Sequence, residues 1–197
     1  DTKAIIPVHY TGGVGNLDEL YDFASKNKLR VIEDAAHAFG TKYKNKLIGS
    51  IGDIVCFSFD GIKNITSGEG GCVVSNDLKI IENIKNSRLL GVEKDSDKRY
   101  KNSRSWSFDV SNQGWRYHMS NIMAAIGIEQ LKKMNTFGDI RKQIAIMYDK
   151  LLSSNPNIVF LNRDYKNVVP HIYVVRIKDL IDRDGLREAM YKEGIEI

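Results

Sequence analysis

The chain reads SFDGIKNITSGEGG from Ser58 to Gly71, a stretch that contains one lysine and ends in several glycines. The apolar residues of Ile54–Phe59 predict a buried strand that runs into a single lysine, Lys63, and then into a glycine-rich turn. Upstream, the sequence VIEDAAHA of Val31–Ala38 predicts a second buried strand, which ends in a carboxylate with an imidazole three residues later. We therefore expect an amine and a carboxylate at the carboxyl ends of neighbouring strands.

The residues before Val31 alternate between strand and helix patterns. A strand within Ala4–Tyr10, a helix that begins after Asn16 and ends near Asn27, and a strand over Leu29–Glu33 form one strand–helix–strand unit. Such a crossover joins parallel strands and is right-handed. With a further strand over Gly71–Ser75, these elements predict an α/β fold with a mostly parallel sheet.

The middle of the chain is predicted to be mostly helical. One helix follows Asp77 and ends before Gly91, and residues 92–113 are predicted as a loop or flap, in preference to a helix. The next helix begins at Ser120 or Asn121, and a further helix runs to Leu152. The apolar spacing of the first of these two helices predicts a buried side made of Ile122, Ala125, Ile126, Ile128, Leu131 and Met134.

Pro156 marks the expected boundary between two units. We assign residues 1–155 to the larger unit and residues 156–197 to the start of a smaller α+β unit. The elements predicted for the smaller unit are strands over Ile158–Leu161 and Ile172–Ile177 and a helix that begins at Asp182 or Asp184.

The composition disfavours several classes of function. With 42% hydrophobic and 27% charged residues and a net charge of +4, the 197-residue chain is typical of a globular protein. Its Lys and Arg residues are scattered among Asp and Glu, so no nucleic-acid surface is indicated, and no apolar run approaches the ~20 residues that span a bilayer. We interpret Cys56 and Cys72 as buried, reduced thiols rather than disulfide or metal ligands, and expect a cytoplasmic protein without a metal site.

The groups at these strand ends suit pyridoxal phosphate. A lysine forms a Schiff base with this cofactor, and a carboxylate keeps its pyridine nitrogen protonated. Lys63 and Asp34 can supply these two groups, His37 can contact or stack on the ring, and Ser58 can bind the phosphate. Further phosphate donors are expected from Thr66, Ser67 and the backbone N–H groups of the glycine turn.

Each of these residues also has an ordinary structural explanation. A lone lysine after a strand is usually solvated, an aspartate at a strand end often caps a turn, and a buried histidine or serine often only satisfies a neighbouring backbone group. The glycine turn lacks both the Walker phosphate loop and the dinucleotide fingerprint. The joint arrangement is what favours a cofactor site.

Several motifs together resemble the DegT/DnrJ/EryC1/StrS family of nucleotide-sugar aminotransferases, which are pyridoxal phosphate enzymes of fold type I. The motifs that carry the resemblance occur in the family's order at Ile32–Gly40, Gly49–Asp53, Cys56–Gly71, Gly114–Asn121, Ala124–Gly127 and His171–Tyr173. The resemblance implies part of a fold type I large domain followed by the start of the smaller domain. It also implies that Lys63 is the Schiff-base lysine, Asp34 the pyridinium partner, His37 a cofactor contact and Ser58 a phosphate ligand.

The resemblance further implies the reaction and its partners. The expected activity is pyridoxal phosphate-dependent transfer of an amino group from glutamate to a keto group of a nucleotide-linked sugar, in a homodimer with active sites at the subunit interface. Many members have Asn at the position of Arg116, where the side chain reaches the cofactor phosphate of the other subunit. An arginine there could pair with that phosphate or contact the nucleotide diphosphate.

Some features depart from the family and leave alternatives open. Asp60-Gly61 stands where members often have His-Pro, a change whose effect the sequence does not predict. Relative to the family, the chain is expected to be a piece of a longer protein, so we expect weak or no aminotransferase activity from it alone. The alternatives are another fold type I transaminase, or a scaffold or regulatory relative without turnover.

Overall fold

The computed structural model describes residues 1–92, 109–110 and 112–197, and its centre is a four-stranded sheet in the order β1-β2-β5-β6. The strands up to this point are β1 (Ala4–Ile5), β2 (Arg30–Asp34), β3 (Lys42–Tyr43), β4 (Lys46–Leu47), β5 (Ile54–Ser58) and β6 (Gly71–Ser75). β3 and β4 form a separate small hairpin.

The sheet is mostly parallel, which confirms the expected α/β class. β1 pairs with β2, and β2 with β5, in parallel, whereas β6 runs antiparallel to β5. The reversal arises because the 58–71 stretch turns back at the end of β5 without a helical crossover, and a parallel neighbour would need such a crossover.

Five helices complete the described structure: α1 (Leu17–Lys26), α2 (Leu78–Ser87), α3 (Asn121–Lys132), α4 (Met134–Leu152) and α5 (Arg183–Lys192). Side-chain oxygens cap four of them by accepting hydrogen bonds from first-turn N–H groups that have no partner within the helix. The capping residues are Asn16, Asp77, Ser120 and Asp182. The structure confirms that helices begin after Asn16 and Asp77. Of the alternatives Ser120 or Asn121, and Asp182 or Asp184, Ser120 and Asp182 are the capping residues.

The core lies on the face of the sheet that α1 covers. Its buried apolar residues are Leu17, Ala35, Ala38, Ile48, Val55 and Phe57. The ring of Phe39 meets those of Phe57 and Phe59 edge-on, with centroids 5.2 and 5.4 Å away. Phe59 directly follows β5, so this packing supports the chain where the Lys63 turn begins.

The smaller strands are β7 (Ile158–Phe160) and β8 (Val175–Ile177), which pair antiparallel. β8 was expected to begin at Ile172, but it begins three residues later. The preceding residues are bound to α4 instead, since Arg141 Nη1 donates to the His171 carbonyl at 2.9 Å and Tyr173 Oη donates to Asp149 at 2.6 Å. The division at residues 155/156 stays a prediction.

The prediction that α3 has a buried side is wrong. Ile122 is 77% exposed and Leu131 is 54% exposed, and no residue of α3 is fully buried. One reason is that the predicted residues do not share a side, because Ile122 and Leu131 are nine residues apart and lie on opposite sides of the helix.

The remaining expectations concern the thiols, the loop and the membrane. Cys56 and Cys72 carry free thiols and are half-buried rather than fully buried. Most of the predicted loop at 92–113 lies outside the described residues. Within the described ranges, none of the helices combines the length and apolar character needed to cross a membrane.

Candidate active site

Asp34 lies at the carboxyl end of β2, where several hydrogen bonds hold it. Its N–H donates to the Pro7 carbonyl at 2.9 Å, its carbonyl accepts from His9 N–H at 3.0 Å, and its Oδ1 accepts from Ala36 N–H at 3.1 Å. Asp34 is in register with Cys56 of β5, so these two side chains lie on the same face of the sheet. The carboxylate is thereby fixed at the end of β2 on the face opposite the core.

Asp60 shapes the turn that carries Lys63. Its Oδ1 accepts from Ile62 N–H at 3.2 Å, and its carbonyl accepts from Lys63 N–H at 3.1 Å. An aspartate that bonds to the backbone two residues later closes a tight local turn. Asp60, which stands where family members often have histidine, therefore forms the hydrogen bonds that close this turn.

The glycine-rich segment closes on itself. Thr66 Oγ1 donates to the Phe59 carbonyl at 3.2 Å and accepts from Gly68 N–H at 2.8 Å, while Ser67 Oγ donates to the Glu69 carbonyl at 2.8 Å. A Cβ atom on Gly71 would lie 2.5 Å from the Phe57 carbonyl oxygen, so a glycine is required there. The hydroxyl donors of Thr66 and Ser67, expected to bind phosphate, are thus engaged within the turn.

Ser58 ends β5 and is half-buried. Its hydroxyl accepts a long hydrogen bond of 3.4 Å from Asp60 N–H. The hydroxyl therefore lies at the start of the Lys63 turn, at the same end of the sheet as Asp34. Its contact with a phosphate stays a prediction.

His37 lies near both charged groups of this site. Burial lowers its pKa, the positive charge of Lys63 lowers it further, and the negative charge of Asp34 acts in the opposite direction. Both charges must lie near the ring to have these effects. The structure thus brings Lys63, Asp34 and His37 to one end of the sheet.

His171 also lies at this end of the sheet, although no role was predicted for it from the sequence. Its ring centroid lies 4.3 Å from that of His37, with a tilt of 44°. Burial lowers the pKa of His171 to about 4, with further lowering from His37, Lys63 and Arg141. The only sequence signal was a histidine within the motif His171–Tyr173, and periodicity could not place it against His37.

Arg116 lies apart from this cluster. It is exposed and lines a cavity of about 780 Å³ on the face of the sheet that carries Cys56 and Val73. No contact between Arg116 and either Lys63 or His37 is present in the described part of the chain. Its predicted contact with a phosphate or a nucleotide stays a prediction.

A buried network beneath the site was also missed. Glu33 is fully buried, and its carboxylate accepts hydrogen bonds from His9 Nε2 at 2.7 Å and from Tyr21 Oη at 2.6 Å. Tyr21 Oη in turn accepts from Asp53 N–H at 2.9 Å. Glu33 and Asp34 are adjacent and are flanked by Ile32 and Ala35. Because successive side chains of a strand point to opposite faces, this pattern could have indicated that one of the two carboxylates points into the core.

Comparison with known proteins identifies the family. A sequence model of the DegT/DnrJ/EryC1/StrS aminotransferase family matches residues 1–197. The chain is 48% identical over 197 residues to the uncharacterized protein MJ1066 of Methanocaldococcus jannaschii, and the match covers 99% of this chain and 50% of that protein.

Solved structures show the same fold. PseC of Helicobacter pylori, an aminotransferase involved in the biosynthesis of pseudoaminic acid, matches with a TM-score of 0.87 at 29% identity, over 98% of this chain and 51% of that one. The putative sugar aminotransferase Spr1654 of Streptococcus pneumoniae, in its PMP form, matches with a TM-score of 0.87 at 28% identity, over 99% and 55%. Its PLP form matches with a TM-score of 0.83 at 25% identity, over 99% and 53%. The chain thus spans about half the length of each of these proteins, and it belongs to the DegT/DnrJ/EryC1/StrS aminotransferase family.

Proposed function

We propose that the full-length protein uses pyridoxal phosphate to transfer an amino group from glutamate to a keto group of a nucleotide-linked sugar. The observation that carries this proposal is the convergence of Lys63, Asp34 and His37 at one end of the sheet. The family membership supports it, as do the PLP and PMP forms of Spr1654. PseC, which acts in pseudoaminic acid biosynthesis, supports a sugar substrate.

The donor set fits pyridoxal phosphate. A primary amine, a carboxylate, an imidazole and a hydroxyl lie at the carboxyl ends of β2 and β5, in the side chains of Lys63, Asp34, His37 and Ser58. When bound, the cofactor supplies an electron-withdrawing ring that stabilises charge on the reacting carbon.

Each residue has a defined task in this proposal. Lys63 Nζ would hold the cofactor covalently, and its free amine would move a proton at the reacting carbon of the substrate. The Asp34 carboxylate, which accepts a hydrogen bond from Ala36 N–H, would keep a proton on the ring nitrogen. His37 would contact the ring and Ser58 Oγ would bind the phosphate. Arg116 would pair with a phosphate across the subunit interface of a homodimer.

Replacing Lys63 tests the proposal directly. In the full-length protein, Lys63→Ala should abolish both the visible absorbance of bound cofactor and turnover with glutamate and a panel of keto-sugar nucleotides. Lys63→Arg should fail as well, because it keeps the charge but cannot form the covalent link. Lys79→Ala, at an exposed position of α2, is the matched control and should change nothing.

The same experiment separates the alternatives. A scaffold or regulatory relative would show neither cofactor absorbance nor dependence on Lys63. A different fold type I transaminase would bind the cofactor but use keto acids rather than keto-sugar nucleotides. We propose that the protein acts in the cytoplasm, and that the described chain without the rest of the protein turns over weakly or not at all.

A further inference from the structure

We infer that His171 is a positioning residue that fixes the orientation and the neutral state of His37. The inference rests on the proposed function for the importance of His37, but its structural basis is independent of the cofactor. Its starting observation is the pair of imidazole rings 4.3 Å apart at the end of the sheet.

His171 is held firmly in place by its own backbone. Its N–H donates to the Thr11 carbonyl at 3.1 Å, and its carbonyl accepts from Arg141 Nη1 at 2.9 Å. Two residues earlier, Val169 N–H donates to Thr41 Oγ1 at 3.0 Å, and the His171 side chain is only 7% exposed. Because these bonds lie on both sides of the ring's attachment point, the imidazole has little freedom to move.

Thr11 connects the two histidines. Its N–H donates to Nδ1 of His37 at 3.4 Å, while its carbonyl accepts from His171. Thr11 has φ 62°, a conformation that β-branched residues rarely adopt. Backbone strain of this kind persists where surrounding contacts enforce it, and such positions cluster at functional sites.

This arrangement specifies the tautomer of His37. Since Nδ1 of His37 accepts the Thr11 N–H, the neutral ring must carry its proton on Nε2. The His171 ring packs against it and excludes water from that side. The charged groups around the pair are Lys63 and Arg141, which oppose protonation, and Asp34, which favours protonation of His37.

In this inference His171 acts through the packing of its ring against His37. Its Nδ1 is buried and has no partner among the described residues, so this atom offers no hydrogen bond to a ligand unless the ring moves. An aromatic ring without nitrogens should therefore replace it, whereas a small side chain should not.

The test compares His171→Phe with His171→Ala in the full-length protein. We expect His171→Phe to keep the titration of His37 and the absorbance maximum of bound cofactor, because a ring of similar size still covers His37. In His171→Ala, water reaches His37, so its pKa, followed by NMR in the cofactor-free protein, should rise towards the ordinary ~6.5. The same variant should shift the cofactor absorbance and lower kcat about ten- to a hundred-fold at nearly unchanged KM for the sugar.

Other outcomes overturn the inference. If His171→Phe raises the KM for the sugar as much as His171→Ala does, His171 contacts the substrate directly. If neither variant changes the His37 titration, no positioning occurs. Should His171→Ala fail to fold, His171→Val, which also removes the ring but leaves a smaller cavity and changes no neighbouring charge, must reproduce the change in the His37 titration.

Failure of the proposed function gives a different result. Wild-type protein would then either bind no cofactor or bind it without turnover of keto-sugar nucleotides, while the NMR titration of His37 would still respond to His171→Ala.

Discussion

The positive charge of Lys63 acts on both imidazoles of the site, and this can be measured without substrate. Lys63 lowers the pKa of His37 and contributes to the low pKa of His171. Lys63→Met should therefore raise the pKa of both histidines in the cofactor-free protein, as followed by NMR. Lys79→Met is the control, since this exposed lysine of α2 should leave both titrations unchanged. An unchanged His37 would mean that the lysine lies elsewhere.

The low pKa of His171 also predicts how stability depends on pH. The unfolded chain takes up a proton on this histidine below pH ~6.5, whereas the folded chain does so only near its pKa of about 4. The unfolded state thus binds more protons in this window, and the free energy of unfolding falls as pH decreases through it. Urea unfolding should show a smaller fall for His171→Phe than for wild type, with exposed His118→Phe as the control. Equal falls for wild type and His171→Phe would contradict this.

At the scale of single elements, β2 serves the core and the site from opposite faces. Asp34 faces the site, while the neighbouring Glu33 is buried between His9 and Tyr21. Burial and the bond to Glu33 both raise the pKa of Tyr21 above its ordinary value. The phenol therefore stays a donor to Glu33 over the whole working pH range.

Replacing Glu33 should weaken the fold through this network. In Glu33→Gln an amide NH₂ would face either the His9 or the Tyr21 donor, so we expect a loss of about 1–3 kcal/mol in the free energy of unfolding. Urea denaturation measures this, with Glu82→Gln on the exposed side of α2 as the control. A variant as stable as the control would show that the network is not stabilising.

The elements differ in how far the sequence could predict them. The strand–helix–strand unit that ends in β2 follows from apolar periodicity and its Asn16 cap, which are local signals. The antiparallel direction of β6 is set by the closing of the 58–71 turn, and the late start of β8 by contacts with α4. These depend on distant or three-dimensional contacts that a local pattern does not contain.

The site shows the same division. Lys63 and Asp34 could be found because each follows a buried strand, and parallel strands end at one edge of a sheet. His171 could not, because it follows His37 by more than 130 residues in the chain, and no local sequence pattern links the two.

At the scale of the whole molecule, the apolar side of α3 is a surface that favours a partner. Ile122 is 77% exposed, and Ile126, one turn further along the same side, is 43% exposed. Such an apolar pair on a helix normally lies against another surface. We propose that a second copy of the protein covers it in a homodimer.

Placing a charge on this side should weaken the proposed dimer. Light scattering coupled to size exclusion should give a dimer for the full-length protein and a larger monomer fraction for Ile122→Glu. Ile181→Glu is the control, because Ile181 is fully exposed and lies outside the helices. A dimer of unchanged strength in Ile122→Glu would exclude α3 from the interface.

The segment that follows β7 has a mechanical consequence. Lys42 N–H donates to the Asn167 carbonyl, Val169 binds Thr41, and the backbone of His171 is bonded on both sides. Any movement of the C-terminal residues must therefore occur outside this bonded stretch. Such movement would leave the contact between the two tilted imidazole rings undisturbed, so their geometry would be the same before and after it.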